Sequence, residues 1–262
     1  AAGGVFANVK LNQRIREKCN LLNFFVFPEM SDGGISFGAV CSYLFENKIK
    51  VSKIENMFLG AESKLKTKHK KSLKFKNLNS NKNFNFLLEE INHGKIIGVF
   101  NGKSEFGPRA LGNRSIIFSP TDKKINDIVN KRLGRNEFMP FAPVTTLDSA
   151  KNIFYDFNEK DENLNYMTTC YKCKDIMIKK CPAVVHVDFT ARPQVISKRI
   201  ENSIYFKIVD NFNKKFKIPC LVNTSFNTHE EPIVNTVEEA IKILKKKVID
   251  YLIINNLLIS LK

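Results

Sequence analysis

The segment Gly102–Ser115 combines residue types that suit the binding of several phosphate oxygens. It contains three glycines together with Arg109 and Arg114, and it ends in a hydroxyl side chain. Glycine lets backbone N–H groups turn toward one anion, and a guanidinium group can bind two oxygens in one plane. We therefore predict a loop that holds a phosphate-rich ligand. The alternative is a structural turn whose arginines pair with surface carboxylates, and the density of these residue types favours the ligand.

Strands on either side must position this loop. Lys95–Phe100 and Ile116–Phe118 are short apolar runs beside turn residues, which is typical of buried strands. The same criteria and the helical spacing of apolar residues predict further elements. These are strands at Phe24–Phe27, Ala183–Val187, Pro219–Val222 and Leu252–Ile254 and helices at Leu11–Cys19, Ser36–Phe45, Ile125–Arg132, Ile204–Lys214 and Val237–Lys247. Thr236 and Glu239 have the spacing of a capping box, which marks the start of the last helix. The mixture predicts an α/β (mixed α+β) fold.

A lysine-rich stretch divides the chain. Lys64–Lys82 contains eight lysines, one histidine and no acidic residue, and such a composition buries too little apolar surface to become ordered. We predict a solvated linker at 61–83, between a domain remnant at 1–60 and a main domain at 84–262. The formal charge of +16 suits polyanions. A nucleic-acid site in the linker is nonetheless not expected, because Phe75 is its only aromatic residue and single strands bind by stacking.

Simple counts exclude several classes of protein and site. The 262 residues are 43% apolar, enough for a buried core, while no apolar run reaches the ~20 residues of a membrane helix. No leader peptide is visible, and the N-terminus is expected to be an internal cut. Six scattered cysteines indicate a reducing cytoplasm. Cys170 and Cys173 have the C-x-x-C spacing of half a zinc site, but Cys181 and His186 do not form a matching second pair. Structural or incidental thiols are therefore favoured over a zinc site.

The glycine- and arginine-rich loop carries a family resemblance. Gly102–Ser115 resembles the EFGPRALGNRS signature of the NodU/CmcH carbamoyltransferases, and other elements follow in the family order. Before the loop, Gly3–Asn8 is similar to the GGVxxN element and Ser31–Gly34 to the DxG element. After it come Asn130–Pro143, similar to an arginine followed by FRPFAP, His186–Gln194, similar to HVDGTARxQ, Val222–Asn227, similar to LNTSFN, and Glu231–Val234, similar to EPIV. The resemblance covers nearly the whole chain, apart from the lysine-rich stretch and residues 155–180.

This resemblance implies two domains and a carbamoyl transfer. Residues 1–60 would be the C-terminal remnant of an actin-like ATPase-type transferase domain, and residues 84–262 a YrdC-like α/β domain with a mixed twisted sheet. The family activates carbamoyl phosphate with ATP as carbamoyl adenylate and transfers the carbamoyl group to a hydroxyl. The implied cofactors are ATP with Mg²⁺, and a divalent metal such as Fe²⁺ in the complete transferase domain. The acceptor, a small molecule or a sugar, is not determined by the sequence, and a homodimer is compatible with it.

The resemblance also implies roles for individual residues. The arginines that would neutralise phosphate charge during adenylation are Arg109, Arg114, Arg135 and Arg192. The residues implied to bind nucleotide or carbamoyl phosphate are Gly107, Ser115, His186, Asn223, Ser225 and Asn227. Those implied to approach the nucleotide in the transferase domain are Gly3, Gly4 and Asn8. Asp32 matches a metal-binding carboxylate whose partner histidines are expected upstream of Ala1.

Some of these residues also have ordinary structural explanations. Residues of the types found at Ser225, Asn227 and Asp32 are common in turns. A histidine on an apolar run, such as His186, is by default a core residue, and only its charged neighbours Asp188 and Arg192 indicate a functional role. Two other functions stay open as well. One is a tRNA threonylcarbamoyl-type modification enzyme, which the charge of +16 would suit. The other is a degenerate nucleotide-binding module.

Three positions depart from the family pattern and motivate the degenerate alternative. The family often has Lys in place of Leu133 and Arg in place of Met139, and Phe189 replaces a usual glycine. Arg135 would then carry more of the phosphate contact, unless an adjacent basic residue replaces it. The two candidates for that replacement are Lys131 and Arg132. A phenylalanine at position 189 indicates a backbone that does not need a positive φ.

Overall fold

A computed structural model describes residues 1–50, 54–66, 72–135, 140–197 and 203–262. The helices of these ranges are α1 (Val9–Lys18), α2 (Gly33–Glu46), α3 (Asn81–Asn92), α4 (Ile125–Arg132), α5 (Leu147–Ile153), α6 (Asp175–Lys180), α7 (Ser203–Phe216) and α8 (Val237–Lys245). The strands are β1 (Leu73–Asn77), β2 (Ile97–Phe100), β3 (Arg114–Phe118), β4 (Ala142–Thr146), β5 (Tyr171–Lys172), β6 (Thr190–Ala191), β7 (Gln194–Ile196), β8 (Cys220–Ser225), β9 (Tyr251–Ile254) and β10 (Leu257–Leu261). None of the described helices is both long and apolar enough to cross a membrane.

One mixed sheet forms the centre of the described chain. Its strand order is β1-β10-β9-β2-β3-β8-β4-β7. The β9/β2 and β4/β7 pairs are parallel, and the other neighbouring pairs are antiparallel. A separate antiparallel pair joins β5 and β6. The predictions of a mixed α/β fold and of a mixed sheet are therefore confirmed.

Helices cover both faces of this sheet. Side chains alternate between the faces along a strand, so Ile97 and Val99 of β2 join one core cluster and Phe100 joins the other. Helices α3 and α7 complete the first cluster, while α4, α5, α6 and α8 contribute to the second. Every residue of β2 and β3 is buried. The loop that connects these two strands is therefore anchored at both ends in the core.

In the part of the chain before β1, helix α1 packs against the segment that leads into β5. The side chain of Asn12 donates to the carbonyl of Thr168 at 2.8 Å, and Arg16 Nη2 donates to the carbonyl of Cys170 at 3.2 Å. Helix α2 differs, since none of its residues is buried. Its side chain of Phe45 is 84% exposed. Helix α1 is therefore joined to the segment that leads into β5, whereas no residue of α2 is buried.

Local sequence signals located several elements correctly. Helix α4 has the predicted bounds Ile125–Arg132. Helix α8 begins with the predicted capping box, in which Glu239 N donates to Thr236 Oγ1 at 3.3 Å and Thr236 N donates to Glu239 Oε2 at 3.1 Å. Strands β2, β3, β8 and β9 and helices α1, α2 and α7 overlap the predicted ranges.

Two predicted strands are wrong. Phe24–Phe27 forms no strand, because the side-chain amide of Asn163 bonds to the carbonyl of its first residue at 2.7 Å and to the N–H of its third at 2.8 Å. Ala183–Val187 overlaps the 3₁₀ helix Pro182–Val184, which a proline in its first turn favours. In both places a distant partner or a proline overrides the β-prone apolar residues.

The predicted linker at 61–83 is partly ordered. Leu73–Asn77 is the edge strand β1, paired antiparallel with β10, and residues 67–71 lie outside the described ranges. Leu73 is buried while the lysines of the strand point outward, and Lys76 Nζ lies 3.4 Å from the centre of the Phe86 ring. Lysines are common on sheet edges because they discourage pairing with other chains. The boundaries 1–60, 61–83 and 84–262 stay a prediction, but Leu73–Asn77 is not solvated linker.

Candidate functional site

The loop between β2 and β3 is closed by its own carboxylate. Glu105 Oε1 accepts hydrogen bonds from the backbone N–H groups of Leu111 at 2.7 Å, Asn113 at 2.9 Å and Arg114 at 3.1 Å. Burial raises the pKa of Glu105, although these three bonds oppose the rise. The backbone donors that the glycine-rich sequence was expected to offer to a ligand are thus occupied by a residue of the loop.

Arg114 belongs to the interior of this loop. Its side chain is 0% exposed, its Nη1 donates to the carbonyl of Asn101 at 2.7 Å, and its Nη2 donates to the carbonyl of Gly102 at 3.1 Å. The guanidinium also stacks 3.6 Å from the centre of the Phe100 ring, and its Nε is buried without a partner. Burial lowers the pKa of Arg114, while Glu105 opposes that change. This geometry favours a structural role for Arg114 over the predicted phosphate clamp.

Two other predicted arginines lie close enough together to repel. Burial lowers the pKa of Arg192, and the charge of Arg109 lowers it further. Burial also lowers the pKa of Arg109, whose Nε is buried without a partner. Within the described ranges, no carboxylate forms an ion pair with either guanidinium. Because guanidinium keeps its charge even when desolvated, two such groups together are typical of an anion-binding site.

A polar network from α1 and the turn before β6 borders this arginine pair. Lys10 Nζ lies 2.6 Å from Asp188 Oδ2, and the Thr190 hydroxyl donates to Asp188 Oδ1 at 2.6 Å. Desolvation opposes the ionisation of Asp188, but the bonds from Lys10 and Thr190 outweigh it and lower its pKa to about 2. His186 Nδ1 lies 3.4 Å from Thr190 Oγ1. Desolvation lowers the pKa of His186; Asp188 opposes this change, and nearby Arg192 adds to it.

Two buried amides join the predicted motifs. Asn223 Nδ2 donates to the carbonyl of Ala110 at 2.9 Å and to Gln194 Oε1 at 2.8 Å. Gln194 Nε2 in turn donates to the carbonyl of Leu111 at 2.7 Å. The loop of Arg109, the element of Arg192 and strand β8 are therefore tied together. In the structure Asn223 connects these elements, and its Oδ1 is buried without a partner.

The serine and asparagine of the turn after β8 bond to each other. Ser225 lies opposite Ser115 in the register of β3 and β8. The Ser225 hydroxyl donates to Asn227 Oδ1 at 2.6 Å, and Asn227 Nδ2 donates to the carbonyl of Glu231 at 2.8 Å. These bonds are those of a self-supporting turn. They agree with the ordinary turn role of Ser225 and Asn227, and their predicted ligand contact stays a prediction.

Arg135 lies by a different turn. Its guanidinium is 5.7 Å from the centre of the Phe141 ring, and burial lowers its pKa. The preceding Leu133 is a core residue whose carbonyl accepts from His229 N at 2.8 Å. Arg132, considered as a substitute, bonds to Asp250 at 3.1 Å. No described contact joins Arg135 to the pair Arg109 and Arg192, and the departure at Met139 lies outside the described ranges.

The predicted residues of the N-terminal part lie beside one another. Gly3 N donates to the carbonyl of Met30 at 2.7 Å, which brings the first glycine element next to Asp32. Asp32 is exposed at the start of α2 and makes no capping bond. Asn8 caps α1, since its Oδ1 accepts from Lys10 N and Leu11 N. Gly4 starts the 3₁₀ helix Gly4–Ala7. Asn8 therefore has a structural role in the structure.

No complete metal site is formed by these residues. The described part of the chain contains no group of three or more His, Cys, Asp or Glu side chains that could hold a metal ion. This statement covers Asp32 as well as the thiols of Cys170, Cys173 and Cys181. The metal role of Asp32 stays a prediction for the complete transferase domain.

The glycines of the loop permit close packing. Gly107 has a φ of 125°, and an added Cβ would lie 3.2 Å from the carbonyl oxygen of Pro28. Gly112 has a φ of 117°, and its Cβ would lie 2.5 Å from the Tyr205 ring. A side chain at either position would strain the backbone, and at Gly112 it would also collide with the Tyr205 ring. Gly107 thus brings the loop against the N-terminal part, where Phe106 N donates to the carbonyl of Met57 at 2.7 Å.

The backbone prediction for Phe189 is wrong. Phe189 has a φ of 58° in the turn before β6. Its N–H donates to the carbonyl of His186 at 3.0 Å, and its carbonyl accepts from Cys173 N at 2.8 Å. These two bonds fix the left-handed conformation although the residue is not glycine. The side chain is 56% exposed, so solvent accommodates the ring.

Sequence reasoning missed Glu105, Gln194 and Lys10. Glu105 and Gln194 both lie inside quoted motifs, so their positions were visible, but nothing local indicated that they bond to backbone groups. Lys10 follows the Gly3–Asn8 element. Its contact with Asp188 spans most of the chain and has no local signal.

Comparison with known proteins gives a family match. Residues 88–261 match the family described as Carbamoyltransferase C-terminus. The protein MJ1051 of Methanocaldococcus jannaschii is 39% identical over 272 residues, which cover 98% of this chain and 50% of that protein. The nodulation protein NolNO of Sinorhizobium fredii is 32% identical over 277 residues, which cover 99% of this chain and 39% of that protein. The chain thus spans half or less of the length of these relatives.

A solved structure is also similar. The crystal structure of T. kodakarensis HypF aligns with a TM-score of 0.47 and 19% identity. The alignment covers 71% of this chain and 23% of that one.

Proposed function

The chain belongs to the carbamoyltransferase family, and from this premise we propose that the site around Arg109 and Arg192 activates a carbamoyl group with ATP. In the proposed reaction, water hydrolyses carbamoyl phosphate to carbamate and phosphate. A carbamate oxygen then attacks the α-phosphorus of ATP, which forms carbamoyl adenylate and releases pyrophosphate. The hydroxyl oxygen of a small molecule or sugar then attacks the carbamoyl carbon, which forms the carbamate ester and releases AMP. Because the chain spans 50% of MJ1051 and 39% of NolNO, the transfer is proposed for the whole protein.

The arginine pair is the observation that supports adenylation. Arg192 and Arg109 repel each other, are desolvated, and have no carboxylate partner in the described ranges. An anion between them would remove the repulsion and accept several N–H groups at once. Adenylation develops negative charge on phosphate oxygens, so the same groups would stabilise its transition state. The Mg²⁺ that accompanies ATP would add positive charge to those oxygens.

Neighbouring residues would orient this pair. The bonds from Asn223 and Gln194 hold the loop of Arg109 against the element of Arg192. Lys10 is neutralised by Asp188 at 2.6 Å and so lends little net charge to the site. The lowered pKa of His186 favours its neutral form. A neutral imidazole can donate a hydrogen bond to the carbamoyl group or a phosphate, or accept one from the carbamoyl group.

Isotope exchange between pyrophosphate and ATP tests the proposal. With carbamoyl phosphate and ATP present, the wild-type chain should incorporate labelled pyrophosphate into ATP. Arg109→Gln and Arg192→Gln should each slow the exchange by about 100-fold or more, because each removes a charge that stabilises the transition state. Arg132→Gln, which removes an arginine paired with Asp250, is the matched control and should exchange at the wild-type rate.

Other results of this experiment would overturn the proposal. Undiminished exchange in Arg109→Gln and Arg192→Gln would remove the pair from the reaction. ATP binding without any exchange in the wild type would instead favour the degenerate nucleotide-binding module.

The transferase residues are proposed for the whole protein. Gly3 and Asp32 lie in adjacent segments, joined by the bond from Gly3 N to Met30. Asp32 is exposed, which leaves its carboxylate accessible to a divalent ion such as Fe²⁺. We propose that the remaining ligands come from the part of the protein outside this chain.

A further inference from the structure

Glu105 is a carboxylate whose partners belong to the loop that contains it. Its Oε1 accepts from Leu111, Asn113 and Arg114, at 2.7, 2.9 and 3.1 Å. Converging backbone N–H groups of this kind usually bind an external anion. Here the anion is internal, so the loop is closed before any ligand arrives.

The closed loop is pinned on both sides of Arg109. On the N-terminal side, Phe106 N donates to the carbonyl of Met57 at 2.7 Å, and Gly107 packs on Pro28. On the C-terminal side, the carbonyl of Ala110 accepts from Asn223 at 2.9 Å and that of Leu111 accepts from Gln194 at 2.7 Å. The backbone of Arg109 therefore lies between residues whose positions are fixed by hydrogen bonds and close packing.

A fixed backbone is needed here because the two guanidinium groups repel. The charge of Arg109 contributes to the lowered pKa of Arg192, and within the described ranges no carboxylate forms an ion pair with either group. A mobile loop would let Arg109 move away from Arg192 in the absence of ligand. Ligand binding would then have to pay the cost of bringing them together again.

We infer that Glu105 is a positioning residue for the proposed reaction: its carboxylate closes the loop so that Arg109 is held beside Arg192 before the phosphate ligand binds. The inference rests on the proposed function of the arginine pair. Glu105 itself does not contact the ligand and acts through Arg109. Its contribution is pre-organisation, which raises affinity by reducing the cost of ordering.

A double-mutant cycle on pyrophosphate binding tests the inference. Calorimetry would give the dissociation constant of inorganic pyrophosphate for the wild type, Glu105→Gln, Arg109→Lys and the double variant. Glu105→Gln keeps the size of the side chain but removes the charge, and it should weaken binding about tenfold or more. In the Arg109→Lys background the same change should have an effect within about twofold, because it acts through Arg109.

Glu62→Gln is the matched control. Glu62 is exposed and, like Glu105, raises the pKa of Arg114, but it accepts none of the three loop N–H bonds. The Glu62→Gln variant should therefore bind pyrophosphate with the affinity of the wild type. Glu105→Asp keeps the charge on a shorter side chain and should bind pyrophosphate with intermediate affinity. If Glu105→Gln does not fold, Glu105→Asp replaces it in the double-mutant cycle.

The outcomes separate the inference from the proposed function. Wild-type binding together with unchanged affinity in the Glu105 variants would overturn the inference alone. An equal loss in both Arg109 backgrounds would also overturn it, since Glu105 would then act on the whole structure. A wild type that binds no pyrophosphate would overturn the proposed function and the inference with it.

Discussion

Arg109 and Arg114 belong to the same loop but have opposite surroundings. Arg114 is enclosed by carbonyl oxygens of Asn101 and Gly102 and lies near Glu105. Arg109 instead lies near another arginine, Arg192, and its positive charge contributes to the lowered pKa of that residue. A guanidinium surrounded by carbonyls stabilises the fold, whereas one that faces a like charge is available to a ligand. The difference shows that two arginines of one motif can have different surroundings, of which one favours a structural role and the other agrees with the proposed binding role.

The largest expected effect is on folding stability. Arg114→Gln should lower the free energy of unfolding by about 3–5 kcal/mol, because it leaves the buried carbonyls of Asn101 and Gly102 without their donors and removes the positive charge near buried Glu105. Arg109→Gln should leave stability unchanged or raise it, since it removes repulsion at Arg192. Urea denaturation of both variants measures the contrast. Equal losses in the two variants would show that the two surroundings do not differ in the way described.

A smaller effect is expected in the turn that leads to Arg192. Phe189 has a φ of 58°, and glycine would adopt this conformation without strain. Phe189→Gly should therefore be more stable than Phe189→Ala by about 1 kcal/mol, because both remove the ring and only glycine removes the strain. Thermal denaturation compares the pair. An alanine variant at least as stable as the glycine variant would disprove the strain.

The smallest effect concerns the ion pair beside the arginines. Asp188 is part of an ion pair whose side chains are 40% and 44% exposed, so Asp188→Asn should cost less than about 1 kcal/mol at neutral pH. The pKa of Asp188 is lowered from 3.8 to about 2 in the folded state. Its stabilisation is thus present above pH 3.8 and is lost as the pH falls toward 2.

Urea denaturation across this pH range tests the assignment. The deficit of Asp188→Asn relative to the wild type should shrink as the pH falls from about 4 to about 2. Lys10→Gln, which removes the other half of the pair, should show the same trend. A deficit that is constant with pH would assign the effect to packing instead of charge.

Local patterns explain the elements that were predicted well. The start of α8 depends on Thr236 and Glu239, which lie within one turn of each other, and α4 follows the spacing of its own residues. The strand at Leu73–Asn77 was missed because its alternating lysines resemble a charge run. Only its pairing with β10, near the end of the chain, shows that it belongs to the sheet.

The sequence by itself determined the family, the mixed α/β class and the set of arginines from which a phosphate site could be built. It could not rank these arginines, because a guanidinium has the same chemistry at every position along a chain. The tertiary structure distinguishes the arginines by the groups that surround each guanidinium. Carbonyls enclose Arg114, Asp250 engages Arg132, and Arg192 meets Arg109. Charge and burial depend on which segments the fold brings together, so only the folded chain decides which charge is left for a ligand.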